Sequence, residues 1–126
     1  MIDLSKYLGA IWHEGGRVWP FVDCYGIVLE VRRDMGLDEW PAWDGVTKAD
    51  DGLHRCGTEF VSARERCEPL PGALACCYTG SLMTHVAVVV EAADGLRVAE
   101  CNPKAGFTCM PLLRFKRRFL RVEFYR

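Results

Sequence analysis

Hydrophobic positions follow a helical period near the start of the chain. Five apolar residues recur with the i, i+3, i+4, i+7, i+8 spacing of a helix that buries one face. These residues are Leu4, Tyr7, Leu8, Ile11 and Trp12. The pattern predicts a first helix, which Gly15-Gly16 ends, followed by a short approach segment over residues 17–22.

A second helical pattern begins at Cys24. Asp23 is a favourable N-cap residue, and Gly36 supplies a helix end. The apolar residues between them recur at helical spacing, namely Ile27, Val28, Val31 and Met35. Cys24 is therefore expected in the first turn of this helix. Further on, residues 37–52 show no clean period and predict a loop, whereas residues 58–67 predict a short helix.

The pattern changes to β-strand after the turn at residues 69–72. The predicted strands cover residues 73–78, 85–91, 96–101, 107–112 and 119–125. Ala93-Asp94-Gly95 is a hairpin turn signal between the second and third of them. Helices followed by an antiparallel meander predict an α+β fold. At 126 residues the chain is expected to form a single domain, 1–126.

Composition and charge exclude several classes of partner. The chain is 50% hydrophobic and 26% charged, and its formal net charge is −1. This charge gives no electrostatic reason to expect binding to nucleic acid or to an anionic membrane. No apolar run reaches the roughly eighteen residues of a membrane span. The start shows no signal peptide, so the protein is expected to be cytoplasmic when it is made. The basic cluster at residues 114–118 is expected to be a solvated loop.

The chain contains 7 cysteines. Because no export signal is visible, these thiols are expected to be reduced rather than paired in disulfides. A zinc site requires spaced pairs of ligands, and the only near pair is the adjacent Cys76-Cys77, which has poor chelate geometry. No metal or cofactor is therefore expected. Apart from Cys24, the cysteines are expected to be packing residues.

Cys24 and His85 form the candidate catalytic pair. A helix N-terminus stabilises a thiolate, since its free N–H groups and the positive end of the helix dipole lie there. A cysteine nucleophile also needs a base and a polar group that orients the base. His85 begins a predicted strand, and small Ala87 on the same face would leave room for the cysteine helix. Across the hairpin, Glu100 and Asn102 are the two candidates for the orienting group.

Each of these residues also has a purely structural interpretation. A buried cysteine usually acts as a small hydrophobe. On this interpretation His85 is an ordinary half-buried strand residue, and Glu100 is a strand residue that faces solvent. His13 and His54 lie in predicted loops and are not expected to take part in chemistry.

Three ordered motifs resemble the NlpC-type cysteine peptidases. Residues 23–28, Asp-Cys-Tyr-Gly-Ile-Val, resemble the D-C-x-G-φ-φ nucleophile segment, where φ is apolar. Residues 71–75, Pro-Gly-Ala-Leu-Ala, resemble a P-G-D-L strand entry, with alanine in place of the aspartate. Residues 84–89, Thr-His-Val-Ala-Val-Val, resemble the [ST]-H-V-G-φ-φ base segment, with alanine in place of glycine. The resemblance covers roughly residues 17–110.

The resemblance implies a papain-like core, with the cysteine on a helix N-terminus that packs on an antiparallel sheet. It implies hydrolysis of amide bonds in peptidoglycan stem peptides, between D-glutamate and a diamino acid. The chain is most similar to members encoded by phages and prophages, which implies an association with tail-tip proteins and a place in the virion tail. The alternative is a catalytically weak or inactive member that acts in tail-tip assembly. The same scaffold also supports acyl transfer.

The chain departs from the family pattern at two positions. Many members have a histidine as the third polar residue, and alignment places Glu100 there, with a one-residue slip nominating Ala99 or Cys101. Many also carry a tyrosine upstream of the cysteine that helps to bind the oxyanion. Here Trp19 is the expected substitute, and Asp23 and the backbone at the helix start complete the predicted oxyanion and substrate-binding region.

Overall fold

The fold is mixed α+β with antiparallel β-structure, as the sequence pattern predicts. The structure is a computed structural model and describes residues 2–126. Three α-helices are present in this range, α1 (Cys24–Asp34), α2 (Gly52–Ser62) and α3 (Leu112–Lys116). The short strands are β1 (Ile11–Trp12), β2 (Arg17–Val18) and β3 (Phe21–Val22). The longer ones are β4 (Leu74–Thr79), β5 (Leu82–Ala92), β6 (Gly95–Asn102), β7 (Gly106–Pro111) and β8 (Arg121–Tyr125).

The longer strands form one sheet in the order β7-β6-β5-β4-β8, and every neighbouring pair in it is antiparallel. A separate small sheet has the order β1-β3-β2. The turn at Ala93 and Asp94 joins β5 to β6, as the sequence predicts. This hairpin brings the far end of β6 back toward the start of β5, where His85 lies.

The two faces of the large sheet bury different clusters. Val86, Val88 and Val90 point to one face and pack with residues of α1 such as Ile27 and Val31. Alternate side chains of a strand point to opposite faces, and Ala87 and Val89 accordingly belong to a second cluster that contains Phe115 of α3. The expectation that Ala87 makes room for the cysteine helix is therefore wrong, because α1 packs on the other face.

The prediction of a first helix with one buried face is also wrong. A 3₁₀ helix spans Leu4–Gly9, and Ile11 then enters β1. Only Tyr7 of the helical pattern is fully buried there, whereas Leu8 is 76% exposed and Ile11 is 50% exposed. In a 3₁₀ helix every third side chain is aligned, so a 3.6-residue stripe is not maintained.

Two further boundaries differ from the prediction. The helix expected at residues 58–67 is α2, which begins earlier at Gly52 and ends at Ser62, so that His54 is helical. The basic cluster at residues 114–118 is not a solvated loop. Most of it forms α3, whose Phe115 is completely buried beneath the sheet.

Strands β5 and β6 separate before they reach the start of β5. Their pairing runs from Ala92–Gly95 to Val88–Ala99 and stops there. Below that point β5 pairs with β4 and β6 pairs with β7. β5 begins at Leu82, so His85 lies within the strand and not at its first residue as expected. The side chains of His85 and Glu100 lie beside this divergence.

Gly26 lets the first turn of α1 lie close to the loop at Gly16 and to Val22 of β3. A Cβ at this position would lie 2.2 Å from the Gly16 carbonyl oxygen and 3.0 Å from Cβ of Val22. Gly26→Ala is therefore expected to lower the free energy of unfolding by about 1–3 kcal/mol. Denaturant unfolding measures this change. Gly9→Ala is the control, because its Cβ would meet nothing closer than 3.9 Å. Equal stability of the two variants would contradict this account of the packing.

In the described part of the chain, no helix has the length and apolar character needed to cross a membrane.

Candidate active site

Cys24 is the first residue of α1, and the side chain of Asp23 caps that helix. Asp23 Oδ1 accepts hydrogen bonds from the N–H groups of Tyr25 at 3.1 Å and Gly26 at 2.9 Å. These are two of the N–H groups that a helix start leaves without intrahelical partners. The cap does not use the N–H of Cys24. Cys24 itself is only 3% exposed.

The Asp23 carboxylate is also held by two groups from the preceding loop. Arg17 Nη1 donates to Oδ1 at 2.7 Å, and the N–H of Gly15 donates to Oδ2 at 2.9 Å. The ion pair is buried, with 9% and 8% of the two side chains exposed. Asp23 therefore fixes the start of the cysteine helix. Its predicted role in substrate binding stays a prediction.

His85 is hydrogen-bonded to Glu100. The Nε2–Oε1 distance is 2.9 Å, and the two residues are 5% and 0% exposed. Because an ionised carboxylate only accepts, Nε2 carries the proton and donates. The second ring nitrogen, Nδ1, is buried without a hydrogen-bond partner. In the neutral ring, Nδ1 is then the basic nitrogen that can take a proton.

Cys24 and Glu100 both influence the pKa of the His85 ring. Burial lowers the pKa of His85, but the influence of its polar neighbours Cys24 and Glu100 outweighs burial, so the pKa is raised. Cys101, near the end of β6, is directed at the backbone just before the helix, since its Sγ lies 3.8 Å from the Val22 carbonyl oxygen. The start of α1 thus lies beside the part of the sheet where β5 and β6 diverge.

Glu100 binds a neutral and a cationic donor besides His85. Asn102 Nδ2 donates to Oε1 at 2.9 Å, and Arg118 Nη1 donates to Oε2. Burial raises the pKa of Glu100, but the hydrogen bonds from His85, Arg118 and Asn102 outweigh it and bring the pKa to about 2. Of the two predicted orienting groups, Glu100 contacts the imidazole and Asn102 contacts Glu100.

Arg118 and Phe119 adjoin the site, and the sequence did not indicate them. Phe119 stacks on the His85 ring, with centroids 6.1 Å apart and an interplanar angle of 16°. Both residues follow α3. Arg118 ends the basic cluster that was expected to be solvated, and Phe119 was expected to begin the last strand. The available signal was a buried strand carboxylate at Glu100, which calls for a cationic partner somewhere in the chain.

Trp19, the predicted oxyanion donor, packs against residues near the start of the chain. Its ring packs edge-on against Tyr7, with centroids 5.9 Å apart, and Lys6 Nζ lies 5.2 Å from its centroid. These contacts place the ring against the 3₁₀ helix near the start of the chain. Oxyanion binding by Trp19 stays a prediction.

The contacts and burial of the other histidines and cysteines are those of structural residues. His54 Nδ1 accepts a hydrogen bond from the N–H of Met83 at 2.9 Å, and the ring of His13 packs edge-on against Phe21. Burial raises the pKa of Cys101 to about 11 and also raises the pKa of Cys77. All seven cysteines are free thiols. Within residues 2–126, no three His, Cys, Asp or Glu side chains are grouped so as to hold a metal ion.

A surface cavity borders the cap of α1. Its volume is about 550 Å³, and its lining includes Gly15, Gly16, Arg17 and Phe21. Gly15 and Arg17 are the two residues that bind the Asp23 carboxylate from the loop. A second cavity of about 340 Å³ lies beside Arg118 and Phe119. The two cavities thus adjoin residues that contact Asp23, Glu100 and His85, and neither is lined by Cys24, His85 or Glu100.

The shifted pKa values of Glu100 and His85 both contribute to the pH dependence of stability. The pKa of Glu100 falls from 4.5 to about 2 on folding, so its contribution is complete above about pH 4.5 and is lost as the pH falls toward 2. The raised pKa of His85 contributes below 6.5, and that contribution is lost as the pH rises through the folded value. Chemical unfolding between pH 2 and 8 should show the highest stability between these limits. An acid limb of unchanged size in Glu100→Gln would contradict the assignment to Glu100.

Comparison with known proteins adds no relative. A scan against protein-family models finds no match to this chain, and a search of curated proteins finds none either.

Proposed function

We propose that the protein is an NlpC-type cysteine peptidase with a papain-like core, in which Cys24 is the nucleophile, His85 the general base and Glu100 the orienting residue. One observation carries the proposal: His85 binds Glu100 through Nε2 and keeps a buried Nδ1 without a hydrogen-bond partner. A histidine base needs an oriented ring with one nitrogen free to take a proton, and these contacts support that part of a thiol-activating arrangement.

The arrangement supports a two-stage hydrolysis. His85 Nδ1 takes the proton of Cys24, and the thiolate attacks the amide carbonyl. The N–H of Cys24 lies at the start of α1, outside the cap, and can donate to the oxyanion. Collapse of the tetrahedral intermediate breaks the C–N bond, and His85 returns the proton to the leaving amine. Water, deprotonated by His85, then releases the acyl group from Cys24.

The proposed substrate is the stem peptide of peptidoglycan, cut between D-glutamate and the diamino acid. The motif resemblance at residues 23–28, 71–75 and 84–89 supports this class of substrate, and also the phage or prophage tail setting. Incubation with purified sacculi tests it directly. Mass spectrometry of the released fragments should show one new amino group on the diamino acid for each bond cut. Unchanged sacculi, or cleavage in the glycan strands, would refute the proposal.

A second candidate is an inactive member of the same fold that acts in tail-tip assembly. Burial favours it, because the exposed fractions of Cys24 and His85 are only 3% and 5%. The rate of iodoacetamide alkylation at neutral pH separates the two functions. An activated Cys24 reacts faster than a model thiol, whereas a packing cysteine reacts more slowly. Peptide mapping of the labelled protein identifies which thiol has reacted.

A further inference from the structure

The carboxylate of Glu100 is held at both oxygens by groups from three different segments. Oε1 lies 2.9 Å from His85 Nε2 of β5 and 2.9 Å from Asn102 Nδ2, farther along β6. Oε2 accepts from Arg118 Nη1, which belongs to the turn after α3. Glu100 is completely buried, whereas 37% of the Arg118 side chain is exposed. Arg118 thus reaches inward from the surface to a carboxylate that water does not contact.

Two cations face this carboxylate in the described range, and one of them changes its charge during catalysis. The other titratable groups that act on or are influenced by Glu100 are thiols. They are Cys77 of β4, Cys101 of β6 and Cys109 of β7, and burial raises the pKa of each. These thiols are therefore neutral near pH 7. Cys24 of α1 is linked to Glu100 through their common neighbour His85.

The charge of His85 alternates in the proposed reaction. When the ring holds the thiol proton it is a cation and pairs with Glu100. When the ring has returned that proton it is neutral, and Arg118 is then the one remaining cation on the buried carboxylate among residues 2–126. A buried carboxylate without a cationic partner tends to take up a proton. A protonated Glu100 would no longer stabilise an imidazolium.

We propose that Arg118 is a positioning residue that holds Glu100 in its ionised form and in place against His85 throughout the reaction. The inference rests on the proposed function, since it assigns Arg118 a part in the same site. Arg118 does not touch the reacting atoms in this role and acts only through Glu100. A purely structural alternative is that the ion pair only attaches the segment after α3 to the sheet.

The test is a titration of Glu100 by ¹³C NMR of the side-chain carboxyl, with Glu100→Gln used to assign the resonance. Arg118→Gln removes the charge, Arg118→Lys keeps it, and Arg117→Gln removes the neighbouring charge as the control. Arg117 is exposed and has no carboxylate within ion-pair distance in the range described. Arg118→Gln should raise the pKa of Glu100 by about three units or more, toward the pH at which the reaction runs. Arg118→Lys should restore most of that shift, and Arg117→Gln should cause none.

Alkylation of Cys24 across the pH range provides the second readout. As the pH is lowered, Cys24 should lose its reactivity at a higher pH in Arg118→Gln than in the wild-type protein. Arg118→Lys should move this pH back toward the wild-type value. An unchanged Glu100 titration in Arg118→Gln, even with a lowered Tm, would overturn the positioning role. If the wild-type Cys24 reacts no faster than a model thiol, the proposed function fails instead. The carboxyl titration distinguishes that case, because it does not depend on peptidase activity.

Discussion

Replacement of Cys24 by alanine is expected to abolish the release of soluble fragments from sacculi, by at least about 10³-fold. The thiol is the proposed nucleophile, so its removal leaves the proposed reaction without the group that forms the acyl-enzyme. The side chain is small and buried, so its truncation should lower the free energy of unfolding by only about 1 kcal/mol. Fragment release by the variant and by the wild-type protein is compared at equal concentrations of folded protein.

Cys109→Ala is the matched control for this experiment. Cys109 is a half-buried free thiol on β7, and its backbone pairs with Ala99 of β6. It should retain wild-type activity. Release at the wild-type rate by Cys24→Ala would eliminate the mechanism, and equal losses in both variants would point to a general effect of removing a thiol.

Glu100→Gln is expected to have the second largest effect, a loss of at least about 10²-fold in kcat. Glutamine keeps the size and the acceptor oxygen of the side chain but carries no charge to stabilise the imidazolium. It also weakens the contact with Arg118, so stability should fall by on the order of 2 kcal/mol. Steady-state kinetics on a soluble stem-peptide substrate measures the first effect, and denaturant unfolding measures the second.

Glu123→Gln provides the comparison for Glu100→Gln. Glu123 is also a strand glutamate with an arginine partner, Arg121, whose Nε donates to it at 2.8 Å. It lies on β8, however, and pairs across the sheet with Cys76 rather than with a residue of the proposed site. Its substitution should leave kcat unchanged. A wild-type kcat in Glu100→Gln would remove Glu100 from the mechanism.

The elements that the sequence predicts well are those with local causes. The cysteine helix starts at a side-chain cap, Asp23, and ends before a glycine, Gly36, whose φ is +73°. The hairpin between β5 and β6 is specified by its turn residues. The pairing stops at Val88–Ala99, and its continued register would place Asn102 opposite His85. The hairpin therefore brought Glu100 and Asn102 toward His85 without choosing between them.

The remaining features depend on contacts that are distant in sequence. Arg118 follows Glu100 by 18 positions, and the intervening strand and helix bring it back to the carboxylate. No local pattern distinguishes it from the other basic residues around it. The sequence also could not predict which face of the sheet α1 covers. The alternation in β5 identifies two faces without saying which of them a helix covers. Ala87 was misplaced for this reason.

Arg17 links the start of α1 to a loop that has almost no regular structure. Its guanidinium binds Asp23, and it also donates to the carbonyl oxygens of Ala42 at 2.6 Å and Val46 at 3.1 Å. The ring of Tyr25, the residue after Cys24, stacks on Trp43 with centroids 3.9 Å apart. The loop and the start of α1 should therefore open together as one cooperative unit. In native-state hydrogen exchange, the capped amides of Tyr25 and Gly26 should show the same opening free energy as the amides of the loop at residues 42–46.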